Sequence, residues 1–316
     1  MRVVPNPELS AAVYLRAMWR VIARAVFACI LLAGCSCHAA DQPTTKIIML
    51  GTGTPSPNPD RSGPATAILV GDRAYLVDFG PGVVRRAAAA QAKGYPAVNP
   101  ANIRVAFVTH LHSDHTAGYP DLILTPWIFG RRELDVYGPE GTQEMTQHIL
   151  AAYRQDIEIR SKGMERVPPI VVRAHDVKPG VVYKDDQVTV KAFAVPHGEW
   201  PQAFGYRFET PDRTIVISGD TSPSSELIAN CQRCDVLIHE VQLPSSNVPH
   251  MPDWAAYRAK YHTTTDELAD IANRTQPRLL IVYHNSSNET GLRQIEEQIQ
   301  AKYHGRVVIG HDLDVY

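Results

Sequence analysis

The sequence has 316 residues, of which 44% are hydrophobic and 20% are charged, and its formal net charge is −2. This composition is typical of a globular protein that buries a substantial core, as one large domain or two small ones. Proteins that track nucleic acid usually carry a basic face. No basic cluster is visible here, so the composition disfavours a nucleic-acid substrate.

The N-terminus has the pattern of an export signal. A basic stretch at 18–24 precedes an apolar stretch at 25–33 that is too short to span a bilayer. Residues 32–35 (LAGC) resemble the lipobox of bacterial lipoproteins, which implies a lipid on Cys35 and a place at the cell envelope. Cleavage near Ala39, an uncleaved anchor and a translation start at Met18 remain open. We predict a signal peptide at 1–34, a tether at 35–45 and a folded domain at 46–316.

Removal of residues 1–34 takes away four arginines and one glutamate, which leaves a formal charge of −5. Export and acidity together argue against an RNA substrate. Cys231 and Cys234 form a single C-x-x-C pair, which is weak evidence for zinc. In an oxidising compartment, a local disulfide or two inert thiols are favoured instead.

The first half of the domain is predicted to begin with strands. A strand at Thr45–Leu50 leads into a glycine- and proline-rich loop, which we expect to lie over one rim of a site. Strands Ala65–Val70 and Ala74–Asp78 pair through a Gly71-Asp72 turn. Later elements of this half are helix Val83–Lys93, strand Ile103–Val108, helix Tyr119–Phe129 with a break at Pro126, strand Leu134–Tyr137 and helix Thr142–Tyr153.

The second half repeats the order of strands and helices. Residues 156–190 contain several short strand candidates and no clear helix. The elements that follow are strands Val188–Val195, Phe204–Glu209, Thr214–Ser218, Val236–Glu240 and Arg278–His284, and helices Thr264–Arg274 and Leu292–Lys302. This pattern suggests two mixed β-sheets packed face to face with helices outside.

Four ligand-type side chains follow the strand Ile103–Val108 within six positions: His110, His112, Asp114 and His115. Alternate residues of an extended chain point the same way, so the first two histidines can face one metal. The other pair can face a second metal nearby. Imidazole and carboxylate are ligands that Zn²⁺, Mn²⁺ and Fe accept.

Other polar residues also lie where predicted strands end. His110, His197, Asp220, Glu240 and His284 each occupy the C-terminal end of a strand. Active sites of layered α/β folds gather at such ends, because a rigid sheet holds the loops there. We therefore expect these residues to meet.

This series of residues resembles the metallo-β-lactamase superfamily over nearly the whole mature chain. The resemblance implies an αββα sandwich with a dinuclear metal site in a groove at one edge. It implies one metal bound by His110, His112 and His197, a second bound by Asp114, His115 and His284, and Asp220 as the bridge between them.

Asp220 also narrows the choice of subfamily within the superfamily. A carboxylate at this position resembles the pattern of hydrolases that act on phosphodiesters, sulfate esters and thioesters. Residues 238–240 (IHE) and 261–264 (YHTT) are similar to motifs of ribonuclease Z and its arylsulfatase-like relatives. This likeness implies that Glu240 orients His262, which acts at the phosphate or the leaving oxygen. Residues 77–82 keep the family aspartate, Asp78, without the ribonuclease Z run that usually follows it. No long tRNA-gripping arm is evident between residues 138 and 195.

The sequence thus predicts an exported hydrolase of a small anionic ester, a phosphodiester or an aryl sulfate. Two divalent ions, Zn²⁺ first and Mn²⁺ or Fe as alternatives, would make a bridging hydroxide that attacks the ester. Asp114, Glu240 and His262 are the predicted catalytic residues. A thioester or lactone hydrolase of the glyoxalase II type, ribonuclease Z itself and a metal-binding protein without turnover remain as alternatives. If the protein forms an oligomer, we expect a homodimer.

Asp78 is expected to bind a ligand histidine or a loop amide, with a purely structural turn as the alternative. Trp127, Trp200 and Trp254 either line an apolar substrate wall or pack in the protein interior. His239 is interpreted as structural. His175 is interpreted as a solvated loop residue.

Overall fold

A six-stranded mixed β-sheet forms the first half of the computed structural model, which describes residues 44–163, 167–243 and 253–316. The predicted signal peptide, Cys35 and most of the tether lie outside these residues. In spatial and chain order the strands are β1 (Lys46–Gly51), β2 (Ala65–Val70), β3 (Arg73–Val77), β4 (Val105–Phe107), β5 (Glu133–Gly138) and β6 (Val171–Asp176). Strands β1 to β3 are antiparallel neighbours, and β3 to β6 pair in parallel.

A seven-stranded sheet forms the second half, and in it too the strands lie side by side in chain order. In chain order the strands are β7 (Gly180–Lys184), β8 (Thr189–Ala194), β9 (Phe204–Glu209), β10 (Thr214–Ile217), β11 (Val236–Glu240), β12 (Leu279–Tyr283) and β13 (Val307–Ile309). Strands β7 to β10 are antiparallel, and β10 to β13 are parallel. The parallel strands of both sheets therefore end at loops that carry ligand-type residues.

Helices cover the outer faces of the sheets. In the described ranges they are α1 (Val83–Ala92), α2 (Ser113–Thr116), α3 (Tyr119–Ile128), α4 (Thr142–Ala152), α5 (Arg154–Lys162), α6 (Ser225–Asn230), α7 (Trp254–Tyr261), α8 (Thr265–Thr275) and α9 (Glu289–Gln300). Helices α1 and α3 pack on the first sheet, and α8 and α9 pack on the second. A third apolar cluster lies between the sheets. The predicted αββα sandwich is confirmed.

One helix contradicts the sequence interpretation, since most of α5 (Arg154–Lys162) lies within the segment 156–190 that we expected to lack helices. It has no fully buried residue, and its apolar Ile157 only partly packs against the core. Ion pairs one turn apart support it, with Arg160 Nε 3.0 Å from Asp156 Oδ1. The prediction was wrong because such a polar helix has little hydrophobic periodicity.

The expected break at Pro126 is also wrong, because the proline lies within helix α3. The buried Arg131 donates a hydrogen bond from Nη2 to the Ile123 carbonyl at 2.8 Å, in the turn before the proline. A proline cannot donate a backbone hydrogen bond, so the bond to the Leu122 carbonyl is lost, and Arg131 stabilises the adjacent carbonyl. The helix ends two residues later, so few of its hydrogen bonds are affected.

Two smaller expectations concern the cysteines and the membrane. Cys231 and Cys234 are joined by a disulfide, in agreement with the first alternative drawn from the sequence. Within the described ranges, every helix is too short or too polar to cross a bilayer.

We expect Phe107→Ala to lower the free energy of unfolding by about 3–5 kcal/mol, because it opens a cavity between the sheets. Phe107 is fully buried and its ring centroid lies 5.4–5.5 Å from those of Tyr137, Tyr206 and Phe208. Urea denaturation measures the effect. Phe129→Ala is the control, since Phe129 is 77% exposed and its loss should change stability by less than about 0.5 kcal/mol. Equal losses in both variants would contradict this assignment of the core.

Candidate metal centre and active site

Three histidine rings converge at one side of the site. His110 follows β4, His112 caps α2, and His197 follows β8. His110 Nε2 lies 2.9 Å from His112 Nδ1, and His197 Nε2 lies 3.2 Å from the same atom. Together with Asp220, which follows β10, they form a group whose potential ligand atoms all lie within 4.8 Å of one another.

Asp114, His115 and His284 form a second group of three residues, whose potential ligand atoms also lie within 4.8 Å of one another. His284 follows β12, and its Nε2 lies 3.1 Å from Asp114 Oδ2 and 3.2 Å from His115 Nε2. All three side chains are buried. The structure therefore brings together residues that are up to 170 positions apart in the chain.

Asp220 lies between the two groups. Its Oδ1 is 3.4 Å from both His115 Nε2 and His284 Nδ1, and its Oδ2 is 4.0 Å from His110 Nε2. One carboxylate oxygen is thus directed to each group. This placement agrees with the bridging position that the superfamily resemblance implies.

Hydrogen bonds on the far side of three rings orient their inner nitrogens. His197 Nδ1 donates to the Tyr261 carbonyl at 2.8 Å, and His115 Nδ1 lies 2.9 Å from Asp78 Oδ2. His110 Nδ1 lies 3.0 Å from Thr109 Oγ1. A proton on each Nδ1 leaves the Nε2 lone pair facing the cluster, which is the form that binds a metal.

Asp78 therefore contacts both a ligand-type histidine and a loop amide. Besides His115, it accepts the Thr109 backbone N–H at 2.8 Å. Its φ of 59° lies in the left-handed region, where aspartate is one of the few tolerated side chains. This unusual turn places the carboxylate behind the cluster.

The electrostatics of the cluster match a cation site. Burial lowers the pKa of His110 and lowers that of His197 to about 3, so both rings are neutral. Burial would lower the pKa of His115 too, but the carboxylates of Asp220, Asp78 and Asp114 outweigh it and raise the pKa. The three carboxylates around His115 thus create a negative electrostatic potential, which favours binding of a cation.

Two buried atoms of the cluster, Asp220 Oδ1 and His284 Nδ1, have no hydrogen-bond partner in the structure. Unpaired buried polar atoms are costly, and a metal ion is one of the groups that satisfies them. Neutral imidazoles and carboxylates are the donor set of Zn²⁺ sites. The residues present therefore fit two divalent cations.

His112 differs from the other rings. The Trp200 indole Nε1–H donates to its Nε2 at 2.8 Å. An indole N–H only donates, so the proton of a neutral His112 lies on Nδ1, the atom that faces the cluster. Binding of a cation at Nδ1 requires that the proton move to Nε2 and that the indole N–H turn away.

Glu240 and His262 lie beside the cluster as an ion pair. Glu240 Oε1 is 3.3 Å from His262 Nδ1 and accepts the Thr263 backbone N–H at 3.0 Å. Burial would lower the pKa of His262, but Glu240 outweighs it and raises the pKa to about 8. Burial raises the pKa of Glu240. The His262 ring centroid lies 5.6 Å from that of His197 and 6.3 Å from that of His284, which places a proton carrier between the two groups.

The structure agrees with some of the remaining expectations for tryptophan and histidine residues and contradicts others. Trp127 is a core residue, buried and donating to the Pro168 carbonyl, whereas Trp200 lies at the site. The Trp254 side chain lies outside the described part of the chain. His239 is buried on β11 in agreement with a structural role, but His175 lies on β6 and stacks on Tyr137, so its interpretation as a loop residue is wrong.

Two features of the site were missed from the sequence. Tyr257 and Tyr261 on α7 stack beside the histidines, with ring centroids 4.3 Å apart. Arg61 fastens the glycine- and proline-rich loop to the His284 loop by donating to the Thr52 and Asn285 carbonyls. The expected position of that loop at the rim agrees with the bond from the His284 N–H to Thr52 O at 3.1 Å.

Comparisons with known proteins agree with this geometry. The profile of the β-lactamase superfamily domain matches residues 73–285, which contain both ligand-type groups. The chain is 33% identical over 284 residues to a ribonuclease Z of Mycobacterium bovis, covering 85% of this chain and 96% of the relative. It therefore has the family's sequence features over most of its length.

The chain belongs to the metallo-β-lactamase superfamily. A ribonuclease Z of Mycobacterium tuberculosis is similar at 31% identity, with 85% of this chain and 96% of that relative covered. Among solved structures, the short form of human tRNase Z shares the fold with a TM-score of 0.64 at 21% identity, over 86% of this chain and 98% of that one. The superfamily prediction is confirmed, and the protein is a metal-dependent hydrolase that acts on ester bonds.

We expect Trp200→Phe to bind Zn²⁺ more tightly than the wild type, by roughly two- to tenfold, because no indole hydrogen bond has to be broken at His112. Competition with a chromophoric chelator measures the affinity. Trp127→Phe, which removes an indole N–H from the core, serves as the control and should leave zinc affinity unchanged. Unchanged or weaker affinity in Trp200→Phe would show that the indole does not oppose metal binding.

Proposed function

We propose that this protein hydrolyses phosphodiester bonds as a ribonuclease Z-like enzyme. The observation that carries the proposal is the Glu240–His262 pair next to both ligand-type groups, because it supplies a proton donor that a metal-binding protein without turnover does not need. The relatives named ribonuclease Z, which match 85% of the chain, support the same conclusion.

The ligand assignment follows the two groups. His110, His112 and His197 would hold one cation, Asp114, His115 and His284 would hold the other, and Asp220 would contact both. Zn²⁺ suits this donor set best, with Mn²⁺ and Fe as alternatives. Such a pair, when bound, activates water and neutralises charge on the phosphate.

The remaining chemistry belongs to side chains that hold or move protons. Burial would raise the pKa of Asp114, but His115 and His284 outweigh it, so the carboxylate is ionised and can accept a hydrogen bond from the attacking water. His262, protonated near neutral pH, donates its proton to the leaving oxygen. Glu240 holds the ring in place and stabilises that charge.

Two substrate classes fit this chemistry. The ribonuclease Z relatives favour an RNA phosphodiester. The formal charge of −5 after removal of residues 1–34 instead disfavours a polyanion such as RNA more than it disfavours a small ester with a single charge. In addition, the described part of 138–195 is occupied by α4, α5 and strands β6 to β8 of the sandwich. Because the ribonuclease Z relatives match 85% of the chain, we take an RNA phosphodiester as the first candidate and a small diester as the second.

We expect the zinc-loaded full chain in detergent to cleave a 3′-extended tRNA precursor or bis-p-nitrophenyl phosphate, and to leave p-nitrophenyl sulfate and a thioester intact. Product release is followed by gel electrophoresis and by absorbance. Asp220→Ala is the control and should lose metal and at least about a hundredfold in rate, because it removes the contact shared by both groups. Cleavage of the sulfate or the thioester alone would overturn the proposal.

The alkaline limb of the pH profile of kcat/KM should follow His262. Protonated His262 is the proposed acid, so activity falls as pH rises through its pKa of about 8. Glu240→Gln removes the carboxylate that raises this pKa, and the limb should move to lower pH by roughly one unit. His262→Ala should remove the limb and retain both metals, as counted by inductively coupled plasma spectrometry. An unmoved limb in Glu240→Gln would exclude His262 as the acid.

We also propose that the protein is lipid-anchored at the cell envelope through Cys35, on the basis of its lipobox-like sequence. Cells fed a radiolabelled fatty acid should label the wild type and not Cys35→Ala. Cys29→Ala, which changes a cysteine within the predicted signal, is the matched control and should keep the label. Label that persists in Cys35→Ala, or its absence from the wild type, rejects the anchor.

A further inference from the structure

Three aromatic side chains, Trp200, Tyr257 and Tyr261, line one side of the site, and we refer to them as the aromatic wall. Tyr257 and Tyr261 lie one turn apart on α7, and their rings are nearly parallel, with an interplanar angle of 12°. The Tyr261 ring centroid lies 5.2 Å from that of His197, and that of Trp200 lies 4.9 Å from that of His112. All three wall residues are half-buried.

The wall is held together by contacts between α7 and the loop 197–200. The Gly198 N–H donates to the Lys260 carbonyl at 3.1 Å, and Lys260 forms an ion pair with Glu199. Gly198 has a φ of 58°, and a Cβ there would overlap the Tyr261 ring. Glycine therefore allows the loop to lie directly against the tyrosine, and the wall has a defined position relative to the histidines.

Tyr257 places its ring beside that of the proposed proton donor, His262. Its ring centroid lies 5.9 Å from that of His262. Burial raises the pKa of Tyr257, and the carboxylates of Asp220 and Asp114 act in the same direction, so its hydroxyl lies within their field. The wall is therefore within reach of a group attached to the oxygen that His262 protonates.

We propose that the aromatic wall is a subsite for a planar aromatic group attached to the leaving oxygen of the substrate. The proposal rests on the proposed function, since it uses His262 to define the leaving-group side. Half-buried aromatic faces stack on planar rings, and this stacking depends little on ring identity. The planar group can be a nucleobase or an aryl ring, and the experiment separates the two.

The test is isothermal titration calorimetry on the zinc-loaded protein with two pairs of probes. Benzylphosphonate and ethylphosphonate share an anionic head, and only the first carries an aryl ring. Uridine 5′-monophosphate and ribose 5-phosphate likewise differ by a base. The wild type should bind the ring-bearing member of at least one pair roughly five- to thirtyfold more tightly.

Tyr257→Leu should abolish most of that preference and change binding of the ring-free member by less than about twofold, because the cation site is intact. Tyr257→Phe keeps the ring and should keep the preference. A preference only for the uridine probe identifies a nucleobase subsite, and one only for benzylphosphonate identifies an aryl subsite. No preference in the wild type, or the same preference in Tyr257→Leu, overturns the proposal.

Failure of the proposed function gives a different result. If the protein cleaves no phosphodiester but shows the Tyr257-dependent preference, the subsite proposal stands and the proposed function is rejected. If the protein cleaves phosphodiesters without that preference, the proposed function stands and the subsite proposal is rejected. Measurement of bound zinc in every variant shows that the binding site has formed.

Discussion

The structure depends on a cluster of buried carboxylates around buried imidazoles. Asp78, Asp114 and Asp220 are at most 7% exposed, and His115 lies among all three. Burial of ionised carboxylates is costly unless an opposite charge accompanies them. The pKa of His115 is raised for the same reason, because a protonated ring supplies positive charge next to the three carboxylates. Divalent cations would supply that charge and use the inner nitrogen atoms at the same time.

The sandwich makes this cluster possible by bringing strand ends from both sheets to one edge. His110 follows a strand of the first sheet, whereas His197, Asp220 and His284 follow strands of the second. The apolar cluster between the sheets, with Phe107 fully buried in it, sets their separation. Backbone bonds such as that from the Asp78 N–H to Phe107 O then connect the core to the loops. Packing therefore fixes the loops before any ligand contributes.

Residues at strand ends could be predicted from the sequence, because the end of an apolar run marks the edge of a sheet wherever the sheet lies. His197, Asp220 and His284 were identified in this way and do meet. Tyr257 could not be identified, because its role depends on how α7 packs against a loop about 60 residues earlier. Helix α5 was missed for a local reason, since ion pairs support it in place of an apolar face.

The loop 197–200 joins metal binding to recognition of the substrate. Within four residues it contains His197 in the first ligand-type group, a glycine that allows contact with α7, the ion-pair partner of Lys260, and Trp200 on His112. The indole that donates a hydrogen bond to His112 is therefore also a member of the aromatic wall. We therefore expect a substitution that loosens the loop to weaken both zinc binding and the proposed stacking of the substrate. The exposed Glu199–Lys260 ion pair contributes little to stability, but it is one of the contacts that connect this loop to α7.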